Sequence, residues 1–187
     1  AIKLAKKYGS RLHVLHISTK RETALFEADV PLAQKKVSAA ACIHHLWFDD
    51  RDYEDKGNLI KWNPAIKTTA DREGVLRALQ EGRIDVVATD HAPHTQEEKS
   101  NSYFNAPSGG PLVQHSLVAM LEFYLNGTLT LPFIVEKMCH NPAVLFQIDR
   151  RGFVREGYWA DLVLVDLKRP VVVDEANRWT ADAVEQA

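Results

Sequence analysis

The sequence is poor in cysteine, shows no excess of either charge and lacks long hydrophobic runs. Cys42 and Cys139 are too few for a disulfide framework and lack a zinc-knuckle spacing, so we expect reduced thiols and a cytoplasmic location. The net charge of -2 gives no electrostatic attraction to nucleic acid. No apolar run is long enough to span a bilayer, and we expect neither a membrane segment nor a signal peptide. These absences argue against disulfide-stabilised, nucleic-acid-binding and membrane-spanning proteins.

The 187-residue sequence alternates short β-branched runs with amphipathic helical patterns, and 45% of its residues are hydrophobic, enough for a substantial core. Strands are predicted at residues 11–17, 37–43 and 84–88. Helices are predicted at residues 1–8, from Thr19 to about 28, from Thr69 or Asp71 up to Gly82, at 113–125, and from Thr130 and Asn141. Loops are predicted at 49–58 and 95–111, and short strands at 162–165 and 171–173. Strands that alternate with helices in this way indicate an α/β fold with a parallel sheet.

An acidic residue and two histidines follow the third predicted strand, as Asp90, His91 and His94. Parallel α/β folds place their chemistry at the carboxyl ends of strands. Taken singly, Asp90 could cap the next segment and the histidines could be ordinary loop residues. Together they bring a carboxylate and two imidazoles into a small space, which suits a divalent metal and proton transfer.

His16 lies near the carboxyl end of the first predicted strand. Because parallel strands end at one edge of a sheet, His16 and Asp90 are expected on the same face of the molecule. In isolation, the more common role for a residue such as His16 is that of a hydrogen-bonded core histidine. His13 is an odd number of residues away and points to the opposite side of the strand, so we interpret it as structural.

The motif ATDHAPH at residues 88–94, followed by EEK at 97–99, resembles the signature of dihydroorotases, which belong to the amidohydrolase superfamily and share a metal-containing (β/α)8 barrel. Residues 13–20 resemble the sixth barrel strand of that family, and His44-His45-Leu46 the end of the seventh. Residues 61–64, KWNP, resemble the loop that follows. Residues 160–166 resemble the strand that returns to a small β domain. The resemblance covers residues 1 to about 174.

The resemblance implies an α/β fold made of the last three β/α units of an amidohydrolase (β/α)8 barrel plus part of a small β domain. Residues 1–150 would form the partial metal-dependent hydrolase barrel, and residues 151–187 a partial β-sandwich return segment. A complete barrel needs eight strands and about 250 residues, and three strands alone would leave unpaired edges. We therefore expect a missing amino-terminal barrel half as a partner, and the sequence leaves a homo-oligomer open.

The resemblance also implies a zinc hydrolase of cyclic amides that interconverts dihydroorotate and carbamoyl aspartate in pyrimidine biosynthesis, with two zinc ions in the complete enzyme. His16 would bind one zinc, and Asp90 would bind a zinc and shuttle a proton. His94 would contact the carboxylate of the small-molecule substrate. Asn63 and the backbone around Ser108 and Gly109 are weaker candidates for holding the ring, and a simple turn role is about as well supported for them.

Some features of the family are missing or altered. The His-x-His pair of the first strand, the metal-bridging carboxylated lysine or equivalent acid, and the histidine of the fifth strand have no counterpart. Two protein ligands cannot form a two-metal site, so we expect the chain alone to be inactive. Ala40 stands where many relatives have Glu, and Lys67 where many have Arg. Lysine keeps the positive charge of arginine but cannot make the two-pronged contact with a carboxylate. His44 and His45 are assigned to packing or support.

Two alternatives remain at this point. One is another cyclic amidohydrolase, such as a hydantoinase or an allantoinase, against which the 90–94 motif and the Asn63-Pro64 loop favour a dihydroorotase. The other is a catalytically silent, dihydroorotase-like scaffold protein. Ala40 and Lys67 are mild hints of such a protein, whereas His16, Asp90 and His94 argue against it.

Overall fold

A computed structural model of the chain describes residues 1–170. The strands are β1 (Leu12–Val14), β2 (Val37–Cys42) and β3 (Val86–Ala88). The helices are α1 (Ile2–Tyr8), α2 (Lys20–Thr23), α3 (Ile43–Trp47), α4 (Tyr53–Lys56), α5 (Thr69–Gln80), α6 (Gln96–Lys99), α7 (Ser116–Leu125), α8 (Leu131–Val135) and α9 (Asn141–Leu145). Single turns of 3₁₀-helix occur at Leu32–Gln34, Asp50–Asp52 and Gly57–Ile60, and a π-helical turn at Glu136–His140 joins α8 to α9.

The three strands form a parallel sheet in the order β1-β2-β3. The amino-terminal half of β2 pairs with β1, with Leu12 opposite Val37, and its carboxyl-terminal half pairs with β3, with Ala40 opposite Val86. All six residues of β2 are buried, because neighbours cover both edges and helices pack around it. Strands and helices thus alternate along the chain as predicted, and the three strands end at one edge of the sheet.

Buried apolar side chains join the sheet to the surrounding helices in one core. α5 contributes Val75 and Leu79, α7 contributes Met120, and α3 contributes Leu46, all essentially inaccessible to solvent. The core-facing side of α7 consists of Met120 and Phe123, whereas Leu125 at its carboxyl end is exposed. Burying side chains of this size stabilises the fold by about 1.5–3 kcal/mol each.

A polar network ties together the amino-terminal ends of β2 and β3, opposite the edge that carries His16 and Asp90. The Lys35 ammonium donates to the Asp85 carboxylate at 2.7 Å, and both side chains are buried. The second oxygen of Asp85 accepts the Ala39 amide at 2.9 Å. The Asn141 side chain donates to the Asp85 carbonyl at 2.7 Å, which anchors α9 to the same point. The network fixes the relative position of two strands and a helix.

Helix boundaries follow the capping signals, with three differences, of which one is that the helix predicted at 113–125 begins at Ser116. Gly9 ends α1 in a left-handed conformation, and Thr19 and Glu22 form a capping box at α2, as predicted. Thr68, rather than Thr69 or Asp71, caps α5 by accepting the Asp71 amide. α2 also ends at Thr23 instead of continuing to about residue 28.

The early end of α2 has a tertiary cause. Phe26 is buried in the core, and its carbonyl accepts a hydrogen bond from the Arg83 guanidinium at 3.0 Å. That carbonyl therefore obtains its partner from outside the segment. Burial of one aromatic ring overrides the local helical pattern.

Both predicted loops contain helical turns. Residues 49–58 include the turn Asp50–Asp52, α4 and the start of Gly57–Ile60. The Asp49 side chain caps the first of these turns by accepting the Arg51 amide. Residues 95–111 include α6, which begins with a Thr95–Glu98 capping box. Both loop predictions were wrong for these parts, since polar capping residues were interpreted as loop composition.

The strands are shorter than predicted, and residues 162–165 form no strand. Leu164 is fully exposed, and no backbone within residues 1–170 pairs with this segment, so its carbonyls and amides lack the neighbour that a strand requires. The other predicted strand, at 171–173, lies outside the described residues. Within residues 1–170, no helix combines the length and the apolarity needed to cross a membrane.

Candidate active site

His16 and Asp90 each follow a strand by two residues, at the same edge of the sheet. Both adopt a left-handed backbone, with φ of 42° for His16 and 48° for Asp90. Such a conformation is uncommon for residues other than glycine and clusters at functional sites. The shared geometry turns the chain sharply at both positions, immediately after the strand.

Cys42 ends the central strand between these two positions. Burial, with a smaller contribution from the Asp90 charge, raises the pKa of the Cys42 thiol to about 12. Without a metal ion, the Cys42 thiol is therefore protonated at neutral pH.

The donors supplied by His16 and Asp90 fit zinc by type, because zinc accepts imidazole nitrogen and carboxylate oxygen. They do not fit it by number, since catalytic zinc sites use about three protein ligands. In the described part of the chain, no group of three or more His, Cys, Asp or Glu side chains is arranged to hold a metal ion. The two residues can form part of a zinc site, and further ligands must complete it.

His91 faces the loop before α7. Its Nδ1 accepts the backbone amides of Leu112 at 3.1 Å and Val113 at 3.2 Å. Its backbone pairs with Gly110, and the Ala92 amide donates to the Gly110 carbonyl at 3.2 Å. With Nδ1 used as an acceptor, His91 holds the 110–113 segment against the motif.

His94 lies at the start of α6 and is partly exposed. Its Nδ1 is 3.4 Å from the Glu98 carboxylate, four residues later. Glu98 in turn accepts the Thr95 amide, a contact that, with the nearby His94, lowers the pKa of the Glu98 carboxyl. A proton on Nδ1 completes the contact with Glu98, so Nε2 is the nitrogen of His94 suited to a second partner.

Asn63 lies on a short loop supported by the two adjacent histidines of α3. The Trp62 indole stacks on the His44 imidazole with ring centroids 3.7 Å apart, and His45 Nε2 donates to the Pro64 carbonyl at 3.0 Å. The Asn63-Pro64 peptide is cis. Burial, and the nearby charges of His45 and His16, lower the pKa of His44 to about 2. The two histidines therefore act as neutral supports for this loop.

Two lysines connect the Asn63 loop to the segment that carries Ser108 and Gly109. The Lys99 ammonium is buried and donates to the carbonyls of Lys61 at 3.2 Å, Pro107 at 3.0 Å and Gly109 at 2.9 Å. The Lys61 ammonium donates to the carbonyls of Ala106 at 2.6 Å and Tyr103 at 2.5 Å. The Gly109 amide also donates to the Lys61 carbonyl at 2.9 Å. These contacts join segments about 40 residues apart, and the sequence offered no signal for them, because EEK resembles a solvated charged cluster.

Two glycines allow this segment to approach the motif and the Asn63 loop. Gly109 has φ of 132°, and a Cβ atom there would lie 2.6 Å from both Cβ and the carbonyl oxygen of Ala92. A Cβ atom at Gly110 would lie 2.7 Å from the Trp62 ring. The structure therefore brings three of the predicted site segments together: residues 90–94, 61–64 and 106–110.

A cavity of about 460 Å³ lies beside this assembly, lined by Tyr53, Trp62 and Tyr103 among other residues. His16, Asp90 and His94 are not among its lining residues. The chemistry suggested by the motif is therefore located at the edge of the sheet, outside this cavity.

The parallel sheet places two of the predicted site residues, His16 and Asp90, at its carboxyl edge. The family model described as the Amidohydrolase family matches residues 1–186. The chain belongs to the amidohydrolase family.

Within the family, its curated relatives include proteins named dihydroorotase. The chain is 36% identical to the dihydroorotase of Latilactobacillus sakei over 178 residues, which cover 94% of the chain and 41% of that protein. It is 36% identical to the dihydroorotase of Halobacterium salinarum over 166 residues, which cover 89% of the chain and 38% of that protein. The chain thus spans about two fifths of the length of the curated relatives it matches.

Solved structures with a similar fold include hydantoinases. L-hydantoinase from Arthrobacter aurescens superimposes with a TM-score of 0.77 at 29% identity, covering 85% of the chain and 36% of that protein. The dihydroorotase of Saccharomyces cerevisiae, solved with 5-fluoroorotic acid, gives a TM-score of 0.69 at 18% identity, covering 78% of the chain and 41% of that protein. The second likeness concerns the fold alone.

Proposed function

We propose that this chain is the carboxyl-terminal part of a dihydroorotase, a metal-dependent hydrolase that interconverts dihydroorotate and carbamoyl aspartate in pyrimidine biosynthesis. The observation that carries the proposal is the convergence at one sheet edge of His16, Asp90 and the 90–94 motif, with the Asn63 loop packed beside them. The identity of 36% with curated dihydroorotases supports this substrate class.

In the complete protein, residues 1–150 correspond to the last three β/α units of a (β/α)8 barrel, and residues 151–187 to part of a small β domain. The parallel order β1-β2-β3 and the alternation with helices support the first assignment. An amino-terminal barrel half supplies the other strands and the ligands that complete the metal site. The outer strands β1 and β3 each have one edge without a paired strand among residues 1–170, and these edges are the places where neighbouring strands would pair.

The chemistry assigned to this chain begins with proton transfer. Asp90 accepts a proton from the attacking water and returns it to the ring nitrogen as the amide bond breaks. As an imidazolium, with a proton on each ring nitrogen, His94 donates from Nε2 to the substrate carboxylate and from Nδ1 toward Glu98. Asn63 and the Ser108 backbone hold the ring beside Asp90. The Gly109 amide is occupied by the Lys61 carbonyl, so Gly109 contributes through the second lone pair of its carbonyl, which also accepts from Lys99.

His16 and Asp90 are the residues of this chain that would hold zinc, of which the complete enzyme carries two ions. Zinc bound there would supply Lewis-acid activation of water and of the ring carbonyl. Since two donors are too few for such a site, the isolated chain is inactive. Its two cysteines are unpaired, which supports a cytoplasmic location.

A substrate panel tests the choice of reaction. The complete protein is assayed with dihydroorotate, hydantoin and allantoin, and hydrolysis of dihydroorotate with the highest kcat/KM supports the proposal. A preference for hydantoin would favour the second candidate function, that of a hydantoinase. The likeness to the Arthrobacter aurescens enzyme at 29% identity is the observation that supports this candidate. If no cyclic amide is hydrolysed and Asp90→Ala leaves the function of the complete protein unchanged, the chain belongs to a silent scaffold protein.

A further inference from the structure

We propose that Lys99 is a positioning residue that locks the segment carrying Ser108 and Gly109 to the loop carrying Asn63. This inference deepens the proposed function and rests on it, because both segments are assigned there to substrate binding. The ammonium group joins them directly, by donating to the carbonyls of Lys61, Pro107 and Gly109.

Burial sets Lys99 apart from an ordinary surface lysine. Its residue is 5% exposed, and the three carbonyl oxygens satisfy the three N–H donors of the ammonium group. Desolvation, and the nearby charge of Lys61, lower the pKa of the Lys99 ammonium. A buried cation is costly unless its hydrogen bonds are complete, so the folded state keeps Lys99 charged only while the three carbonyls remain in place.

The geometry of the two loops depends on this contact. The Lys61 carbonyl accepts from both the Lys99 ammonium and the Gly109 amide, so it is the point at which the loops meet. On its other side, the Asn63 loop is held by His44 under Trp62 and by His45 at the Pro64 carbonyl. α3 therefore fixes the Asn63 loop, and Lys99 fixes the 107–109 segment to it.

Loss of the ammonium would leave the carbonyls of Pro107 and Gly109 without this donor, and the Lys61 carbonyl with the Gly109 amide alone. Hydrogen bonds to charged groups are stronger than neutral ones, and unsatisfied buried carbonyls are costly. The 107–109 segment would then open more often. The substrate contacts assigned to Ser108, Gly109 and Asn63 would be lost together, whereas the carboxylate of Asp90 stays in place on its own strand.

The test replaces Lys99 in the complete protein. In Lys99→Met, which keeps the length of the side chain without donors, amide exchange at Gly109 should accelerate at least about tenfold while the amides of β2 are unchanged. KM for dihydroorotate should rise at least about tenfold with kcat changed less than about threefold. A purely structural defect would lower the folded fraction and hence kcat, with KM unchanged.

Three comparisons make the outcome decisive. Lys36→Met, at an exposed lysine, should alter neither amide exchange at Gly109 nor KM. Lys99→Gln replaces Lys99→Met if the latter does not fold. Its two donors reach less far than the ammonium, so we expect an intermediate effect on both measurements. Lys61→Met should free residues 103–106 but leave exchange at Gly109 nearly unchanged, because Lys61 holds this amide through its carbonyl.

A folded Lys99 variant with unchanged exchange and unchanged KM would overturn the proposal. If the wild-type protein does not hydrolyse dihydroorotate, the proposed function fails, and the exchange measurement still decides the role of Lys99.

Discussion

At the scale of single residues, the left-handed backbone at His16 and Asp90 is the most distinctive feature of the candidate site. Substitutions there change both the side chain and the cost of the backbone conformation. Asparagine tolerates positive φ better than alanine does. Asp90→Asn therefore isolates the contribution of the carboxylate from that of the backbone.

Gly109→Ala is expected to disturb the site through crowding. The new Cβ would lie 2.6 Å from two atoms of Ala92, and the φ of 132° disfavours any side chain. We expect the free energy of unfolding to fall by about 1–3 kcal/mol and KM for dihydroorotate to rise. Urea unfolding and steady-state kinetics of the complete protein provide the two measurements.

Gly127→Ala is the matched control for crowding. Gly127 also has a positive φ, of 78°, but a Cβ there would meet no atom within 4 Å. In Gly127→Ala the free energy of unfolding should fall by about 1 kcal/mol from backbone strain alone, and KM should equal that of the wild type. Equal effects of both substitutions on stability and KM would refute the close approach of Gly109 to Ala92.

The buried histidines of α3 predict a loss of stability in acid. Burial lowers the pKa of His44 to about 2 and of His45 to about 4 from an ordinary value of 6.5. Below pH 6.5 these histidines bind protons in the unfolded chain but stay neutral in the folded chain. Their contribution to the free energy of unfolding is therefore complete above pH 6.5 and decreases as the pH falls below it. Between pH 7 and 5 the loss should be about 2 kcal/mol per histidine.

Urea unfolding at several pH values measures this dependence. His44→Phe keeps an aromatic ring against Trp62, and His45→Gln keeps a donor for the Pro64 carbonyl, yet neither replacement titrates. The double variant should therefore lose much less stability between pH 7 and 5. A double variant as sensitive to acid as the wild type would show that other groups cause the loss.

The sequence suggests candidate residues for the chemistry, whereas it gives no signal for the long-range contacts that support them. The pairing of an acid with two histidines after a strand drew attention to Asp90 and His94, whose roles stay predictions. Lys99 belongs to the EEK motif at residues 97–99, and the sequence alone assigns it no structural or catalytic role. Its acceptor on Lys61 is 38 residues earlier, and no local pattern encodes that contact.

At the scale of elements, the buried pair Lys35–Asp85 is expected to control how β2 and β3 align. In Asp85→Asn, the Lys35 ammonium would remain buried without a counter-charge, although the amide oxygen could still accept from Ala39. We expect a loss of about 3–5 kcal/mol in the free energy of unfolding, measured with urea.

The exposed pair Lys6–Glu27 is the control for this prediction. Its side chains are about half exposed, and Glu27→Gln should change stability by about 0–1 kcal/mol. The double variant Lys35→Met with Asp85→Leu should be more stable than Asp85→Asn alone, because it buries no unpaired charge. Similar losses in Asp85→Asn and Glu27→Gln would contradict the role of the buried pair.

Elements with strong local signals matched their predictions, and elements that depend on distant partners did not. Gly9 and the Thr19 capping box fixed the end of α1 and the start of α2. The end of α2 depended on burial of Phe26, which the helical pattern does not contain. The predicted strand at 162–165 needs a neighbouring strand, and its own apolar pattern cannot supply one.

At the scale of the whole molecule, the chain covers about two fifths of its curated relatives and contributes two zinc-compatible donors at one sheet edge. In the proposed function, catalysis belongs to the complete protein and this chain supplies a defined share of the site. The proposed share is the Asp90 carboxylate, the imidazoles of His16 and His94, and the loops that carry Asn63 and Ser108. The resemblance to a family led to this division, because three strands alone indicate only an α/β fold.

The most direct measurement of this claim is the rate of dihydroorotate hydrolysis by the complete protein with zinc, compared with its Asp90→Asn variant and with this chain alone. We expect the complete protein to be active and the chain alone to be inactive. Asp90→Asn should lower kcat at least about 10²-fold, since positioned proton transfer contributes about 10²–10⁴-fold. An Asp90→Asn variant that is folded and as active as the wild type would contradict the account.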